Sequence, residues 1–142
     1  MSSFTDPLTV TQISAGTWRV EREFSYDVGE EGSGNTITIL KGFETDFASV
    51  PWPASMLIPK SGLYNQSAVL HDFLYSILGE VKTPYNNIKR TRAQCDSIFK
   101  ESMKILGVNW FKRGTIFNAV RIGGWIPWNV HAQKMRLKNN VV

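Results

Sequence analysis

The hydrophobic pattern of the chain has a period of two in its first third and of three to four in the rest. From Thr17 to Val28, Trp18, Val20, Phe24 and Tyr26 fall on one parity together with Arg22, while Arg19, Glu21, Glu23, Ser25 and Asp27 fall on the other. That alternation predicts a strand with one covered face. Gly29 to Asn35 (GEEGSGN) is a turn by its glycines and charge, and the β-branched stretch Thr36 to Leu40 (TITIL) is the returning strand of an antiparallel hairpin. Tyr64 to Leu78 (YNQSAVLHDFLYSIL) runs without Gly or Pro and predicts a helix. Arg92 to Leu106 predicts a second, since Cys95, Phe99, Met103 and Leu106 recur every three to four residues. Asn109 can cap a third running to about Ile122, with Phe111, Thr115, Ala119 and Ile122 at helical intervals and Gly123-Gly124 as its stop.

The connecting stretches are less regular. Residues 1–16 read as an arm or one short strand, and Gly42 to Pro53 (GFETDFASVPWP) as an irregular loop of the kind that passes near sites. Met56 to Leu63 is a connector, and Gly79 to Arg90 a polar loop between helices. From Trp125 onward the chain reads as an extension that lays its tryptophans on the body or on a neighbouring chain. The expected fold class is α+β in a single domain over 1–142: an N-terminal antiparallel hairpin or small sheet packed on about three helices, with the His71 and Asp96 helices as antiparallel neighbours.

Composition bounds this picture. A chain of 142 residues, 42% hydrophobic and 12% aromatic, supports one ordinary core and is not disordered. No apolar run approaches the roughly eighteen residues of a spanning helix, and the start MSSFTDPLTV lacks the basic and apolar parts of a secretory signal, so synthesis in the cytoplasm is expected. The single cysteine, Cys95, excludes an internal disulfide and disfavours a structural zinc cluster. The net charge of +4 conceals an asymmetry: residues 1–80 hold four basic and ten acidic side chains, residues 81–142 twelve and two. Such a basic half suits an anionic surface, lipid or nucleic acid, or packing between copies; equally, it can lie over the acidic half within one fold.

The candidate chemistry gathers on the first two helices. His71 and Tyr75 lie four positions apart and share a face, with Asp72 set aside from it. Asp96 falls among apolar positions of the next helix, and a buried acid needs a partner. The expectation is that Asp96 meets His71 across the contact between the two helices. Thr45, Asp46 and Ser49 form a polar loop cluster whose simplest role is turn and cap chemistry. Other chemistries fit less well. A His-Asp phosphohydrolase needs further histidines, and the other one, His131, falls in the basic tail. Cys95 is expected inside a helix contact, where thiols are inert, and the chain has neither a phosphate-cradling glycine loop nor a G-x-S-x-G elbow.

Gly42-Phe43, Thr45-Asp46, Ala48-Ser49-Val50-Pro51, His71-Asp72, Leu74-Tyr75 and then Arg92, Asp96, Phe99 and Gly107 resemble, in order and spacing, the DUF1353 family found mainly in bacteriophage and prophage proteins. That resemblance implies a phage gene product made in the host cytoplasm and then carried in the virion, with other virion proteins or its own copies as partners. The block A-x-x-H-D-x-x-Y at Ala68 to Tyr75, followed by Asp96 and Phe99, is similar to the catalytic helices of secreted and parvoviral phospholipases A2. This second similarity implies His71 as the base, Asp96 as its orienting acid, Tyr75 as a supporting donor and Asp72 as a calcium ligand. The glycine-rich calcium loop of those enzymes has no counterpart here, so Asp46 would be recruited as a further ligand. Two functions follow from these resemblances. One is a virion tail, neck or assembly component built on a phospholipase-like helical core; the other is an active phage hydrolase, calcium-dependent if Asp72 holds the ion, acting on lipid esters or the bacterial envelope.

Overall fold

The computed structural model describes residues 4–47, 64–82 and 87–140. Its architecture is α+β, as expected: small antiparallel sheets packed on helices. Strands β1 (Val10–Ser14), β2 (Thr17–Val20) and β5 (Glu44–Thr45) form one sheet in the order β1-β2-β5. Strands β3 (Phe24–Asp27) and β4 (Thr36–Ile39) form the predicted hairpin, with Phe24 opposite Ile39 and Tyr26 opposite Ile37. The long alternating stretch is therefore two strands rather than one, because Val20 pairs with β1 and Phe24 with β4. Its parity survives the break: Val20, Phe24 and Tyr26 are buried.

Helix α1 (Asn65–Ser76) and helix α2 (Arg92–Ile105) pack on each other and on the hairpin. Small hydroxyls let them approach, with Ser102 Oγ donating to Ser67 Oγ at 2.9 Å inside the contact. Thr91 caps α2 through a reciprocal capping box with Gln94, worth about 1 kcal/mol. Glu101, on the outer part of α2, accepts from Tyr26 Oη at 2.5 Å and from Gly29 N at 2.8 Å, which ties the helix to the hairpin end. Between α1 and α2 the expected polar loop is instead a short hairpin, β6 (Glu80–Lys82) with β7 (Asn87–Lys89). Helix α3 (Trp110–Gly123) begins at the Asn109 cap and buries Ile116 and Val120 against α2. Phe111 and Ile122, two of the residues at helical intervals along it, are 58% and 78% exposed.

The extension after Gly124 is a fourth helix, α4 (Trp125–Asn140). Pro127 does not prevent it, since a proline in the first turn displaces no intrahelical hydrogen bond. α4 returns over α1, where Trp128 meets the Tyr75 ring edge-on at 5.1 Å. No helix among the described residues is long and apolar enough to cross a membrane.

Gly79 closes α1 at φ +76°, and a Cβ there would stand 2.1 Å from the Arg90 carbonyl oxygen. Gly107 has φ +90° with open space around it. Gly79→Ala should therefore lower unfolding free energy by more than the roughly 1–2 kcal/mol of left-handed strain alone, and Gly107→Ala by about that amount. Urea unfolding of the two variants checks the difference.

Candidate functional site

The carboxylate of Asp96, wholly buried, is the centre of a cluster drawn from three helices. From α1, His71 Nε2 lies 2.8 Å from Oδ1 and Tyr75 Oη donates to the same oxygen at 2.6 Å. Four-residue spacing on one helix puts both groups over one acceptor, with their rings 4.2 Å apart. Arg121, near the end of α3, donates to Oδ2 at 2.7 Å, and Arg92 from the first turn of α2 donates at 3.4 Å. Arg92 also donates to the Val120 and Arg121 carbonyls, so it closes the end of α3 while facing Asp96. Gly124 makes room for this: a Cβ there would stand 2.5 Å from Tyr75 Oη and 2.9 Å from Arg92 Nη1.

Charge follows from these contacts. Burial works to raise the Asp96 pKa, but hydrogen bonds from His71, Tyr75 and Arg121 outweigh it and leave the carboxyl below the usual range. Burial, aided by Arg92, holds the His71 imidazole below its ordinary value against the opposing pull of Asp96. A neutral ring beside an ionised acceptor must carry its proton on Nε2 and donate it to Asp96. Nδ1 is then the basic nitrogen, and it has no hydrogen-bond partner among the described residues.

His71, stacked on Phe99 at 4.4 Å, lines a cavity of about 280 Å³. The opposite wall is the β5 end. There Thr45 Oγ1 donates to Asp72 Oδ2 at 2.6 Å, the Asp46 N–H donates to the same oxygen at 3.2 Å, and Thr45 Oγ1 accepts from Phe47 N. Phe47 sits at φ 61°, a strained conformation for a bulky residue, and Tyr64 Oη donates to its carbonyl at 3.0 Å. Asp72 thus tethers the β5 loop to α1 beside the imidazole.

The structure brings together His71, Asp72, Tyr75, Asp96, Thr45 and Asp46; Ser49 lies outside the described residues. Asp72 and Asp46 would contribute at most part of the six to eight oxygens that calcium takes. Among the described residues no three His, Cys, Asp or Glu side chains form a metal-holding group. The thiol of Cys95 is buried and pushed up to about 12 by that burial, so it is inert as expected. Sequence reasoning missed Arg121 as a partner of Asp96, and it set His131 aside in the tail. Both the His71 and His131 side chains line the cavity, His131 from α4. The signal for His131 was its three-residue spacing from Trp128, which becomes visible once the tail is recognised as a helix.

Removing the central acceptor strands two arginines and a buried imidazole, so Asp96→Ala should cost about 3–5 kcal/mol in urea unfolding. Acid sensitivity follows from the signs of the two shifts. The folded His71 pKa lies below 6.5, so the unfolded chain takes up a proton first as pH falls. Stability should be complete above about pH 6.5 and decline below it by up to ~1.4 kcal/mol per pH unit. Asp96, also lowered, adds a second loss as pH drops below 3.8. Melting curves between pH 3 and 8 should show the first decline reduced in His71→Gln.

Comparison with protein families matches residues 18–120 to the DUF1353 family, described as protein of unknown function. The matched span contains α1, α2 and most of α3, and so His71, Asp72, Tyr75, Arg92 and Asp96. No curated protein and no solved structure matches the chain. With the match running from β2 through the helices that carry the buried cluster, the chain belongs to the DUF1353 family.

Proposed function

We propose that the protein is a hydrolase in which His71 activates water against an ester or related carbonyl, as the phospholipase A2 likeness of its helices suggests. The observation that carries this reading is the imidazole at the cavity wall, with Nε2 held by a buried carboxylate and Nδ1 without a partner among the described residues. In the first step, Nδ1 takes a proton from water as the oxygen attacks the carbonyl carbon. Asp96 stabilises the imidazolium so formed, and the same proton then passes to the departing alkoxide as its bond to carbon breaks. The lowered His71 pKa keeps the ring unprotonated and ready at neutral pH. Tyr75, hydrogen-bonded to the same carboxylate, is a positioning residue. Calcium at Asp72 and Asp46 belongs to the same proposal, and lipid esters or envelope components are the substrates it suggests.

A second reading has its own support. Trp110, Phe111, Ile122, Trp125 and Ile126 are all more than half exposed on α3 and α4, large apolar side chains of the kind that contact other protein. In a phage gene product, that favours a tail, neck or other assembly component, and a virion protein can also carry an active site.

Activity against a panel of p-nitrophenyl and phospholipid esters tests the first reading. The expected outcome is a loss of at least about a hundredfold in kcat for His71→Gln, with the fold retained by circular dichroism. Turnover unchanged in that variant would remove the base from the mechanism. A thermal shift at millimolar calcium that vanishes in Asp72→Asn would support the ion; no shift would count against it.

A further inference from the structure

Helix α4 has apolar side chains on two sides, and the protein covers one of them. Trp128, Ala132 and Met135 fall on the side turned to the body, where Trp128 meets Tyr75. Ile126, Val130 and Leu137 fall on the opposite side, within about 40° of one another at 3.6 residues per turn. They are between 44% and 60% exposed. Ile122 and Trp125, on either side of the turn at Gly124 that leads into α4, are both more than half exposed. The charge around this outer face is of one sign. Lys134, Arg136 and Lys138 are exposed beside it and form no ion pair among the described residues. Residues 102–142 hold seven Lys and Arg and no Asp or Glu.

We infer that α4 lies with its outer face on an anionic lipid bilayer, Ile126, Val130 and Leu137 entering the boundary of the acyl chains and the flanking Lys and Arg meeting the head groups. An anionic bilayer is the partner that satisfies both kinds of side chain at once: hydrocarbon takes the aliphatic groups, and lipid phosphates take the cations. Trp125, at the start of the helix, suits the head-group level, where an indole keeps its ring in an apolar layer and its N–H in a wet one. Other anionic partners satisfy one kind alone. Nucleic acid phosphates would pair with the lysines and leave Val130 and Leu137 in water. A second copy docked symmetrically would set the same cations against each other. The acidic β3–β4 turn of a second copy, Gly29–Asn35 (GEEGSGN), has no apolar side chain to offer. The inference concerns where the protein sits and is compatible with the hydrolase reading; for the assembly reading it puts a bilayer in place of a protein against α4. It is tested by binding without turnover, so it and either reading can fail separately.

Co-sedimentation of the full chain with lipid vesicles at about 0.1 M salt reads the contact directly. Vesicles of phosphatidylcholine with about one quarter phosphatidylglycerol should be bound at least about tenfold more tightly than pure phosphatidylcholine. Val130→Ser with Leu137→Ser should weaken that binding at least about fivefold, and Lys134→Gln with Lys138→Gln should reduce the preference for anionic vesicles to about threefold or less. All four side chains are exposed, so both double variants should fold, and circular dichroism verifies that. Equal binding of the two kinds of vesicle, binding unchanged in either double variant, or no binding to either kind would overturn the inference, the last leaving the face to a protein. So would tighter binding of a DNA duplex than of anionic vesicles, lost in the lysine variant and kept in the Val130 and Leu137 variant. A dimer in sedimentation velocity that the Val130 and Leu137 variant dissociates would assign the face to a second copy and equally overturn it.

Discussion

A carboxylate with no exposure to water has to be satisfied from within the protein, and around Asp96 that requirement organises the helices. Its two oxygens accept from α1, α2 and α3, each through side chains whose positions depend on how that helix is set against the others. The apolar contacts alone, Phe99 and Met103 against Ile116 and Val120, would tolerate small slides between helices. Hydrogen bonds of 2.6 to 2.8 Å to one buried acceptor tolerate far less. The cluster thus sets the register of the helical layer, and Arg92 extends it by closing the end of α3 from which α4 turns back.

The same cluster gives the imidazole its chemistry. Because Asp96 stays ionised under two guanidinium groups, the imidazole that burial keeps neutral is fixed in one tautomer, donating from Nε2. The opposite wall is built by a separate device: Asp72, next in sequence to His71, reaches across to Thr45 and Asp46 and draws the β5 loop over the helix. Adjacent residues on one helix therefore do two jobs. His71 faces inward to the acid, and Asp72 faces the sheet.

Much of this was legible in the sequence. The hairpin follows from the alternation around Phe24 and Tyr26, and α1 to α3 follow from periodicity and from the cap at Asn109. The meeting of His71 with Asp96 was legible too, because an acid among Cys95, Phe99 and Met103 had to be buried and the preceding helix carried a suitable donor. What escaped were features with weak local signals. The three-residue strands β6 and β7 have no room to show an alternation, and the helix from Trp125 was masked by Pro127 and by a polar, basic composition that displays no single apolar face.

The sequence by itself determined which side chains share a face. Backbone periodicity is a local property, and it places His71 over Tyr75 and turns Asp72 away whatever surrounds the helix. Only the tertiary structure decided which partners those faces meet. Arg121 reaches Asp96 across 25 positions of chain, and His131 enters the cavity because α4 folds back over α1. Such contacts depend on the angles and offsets at which helices pack, which follow from the summed shape of many interlocking side chains rather than from the spacing of any few.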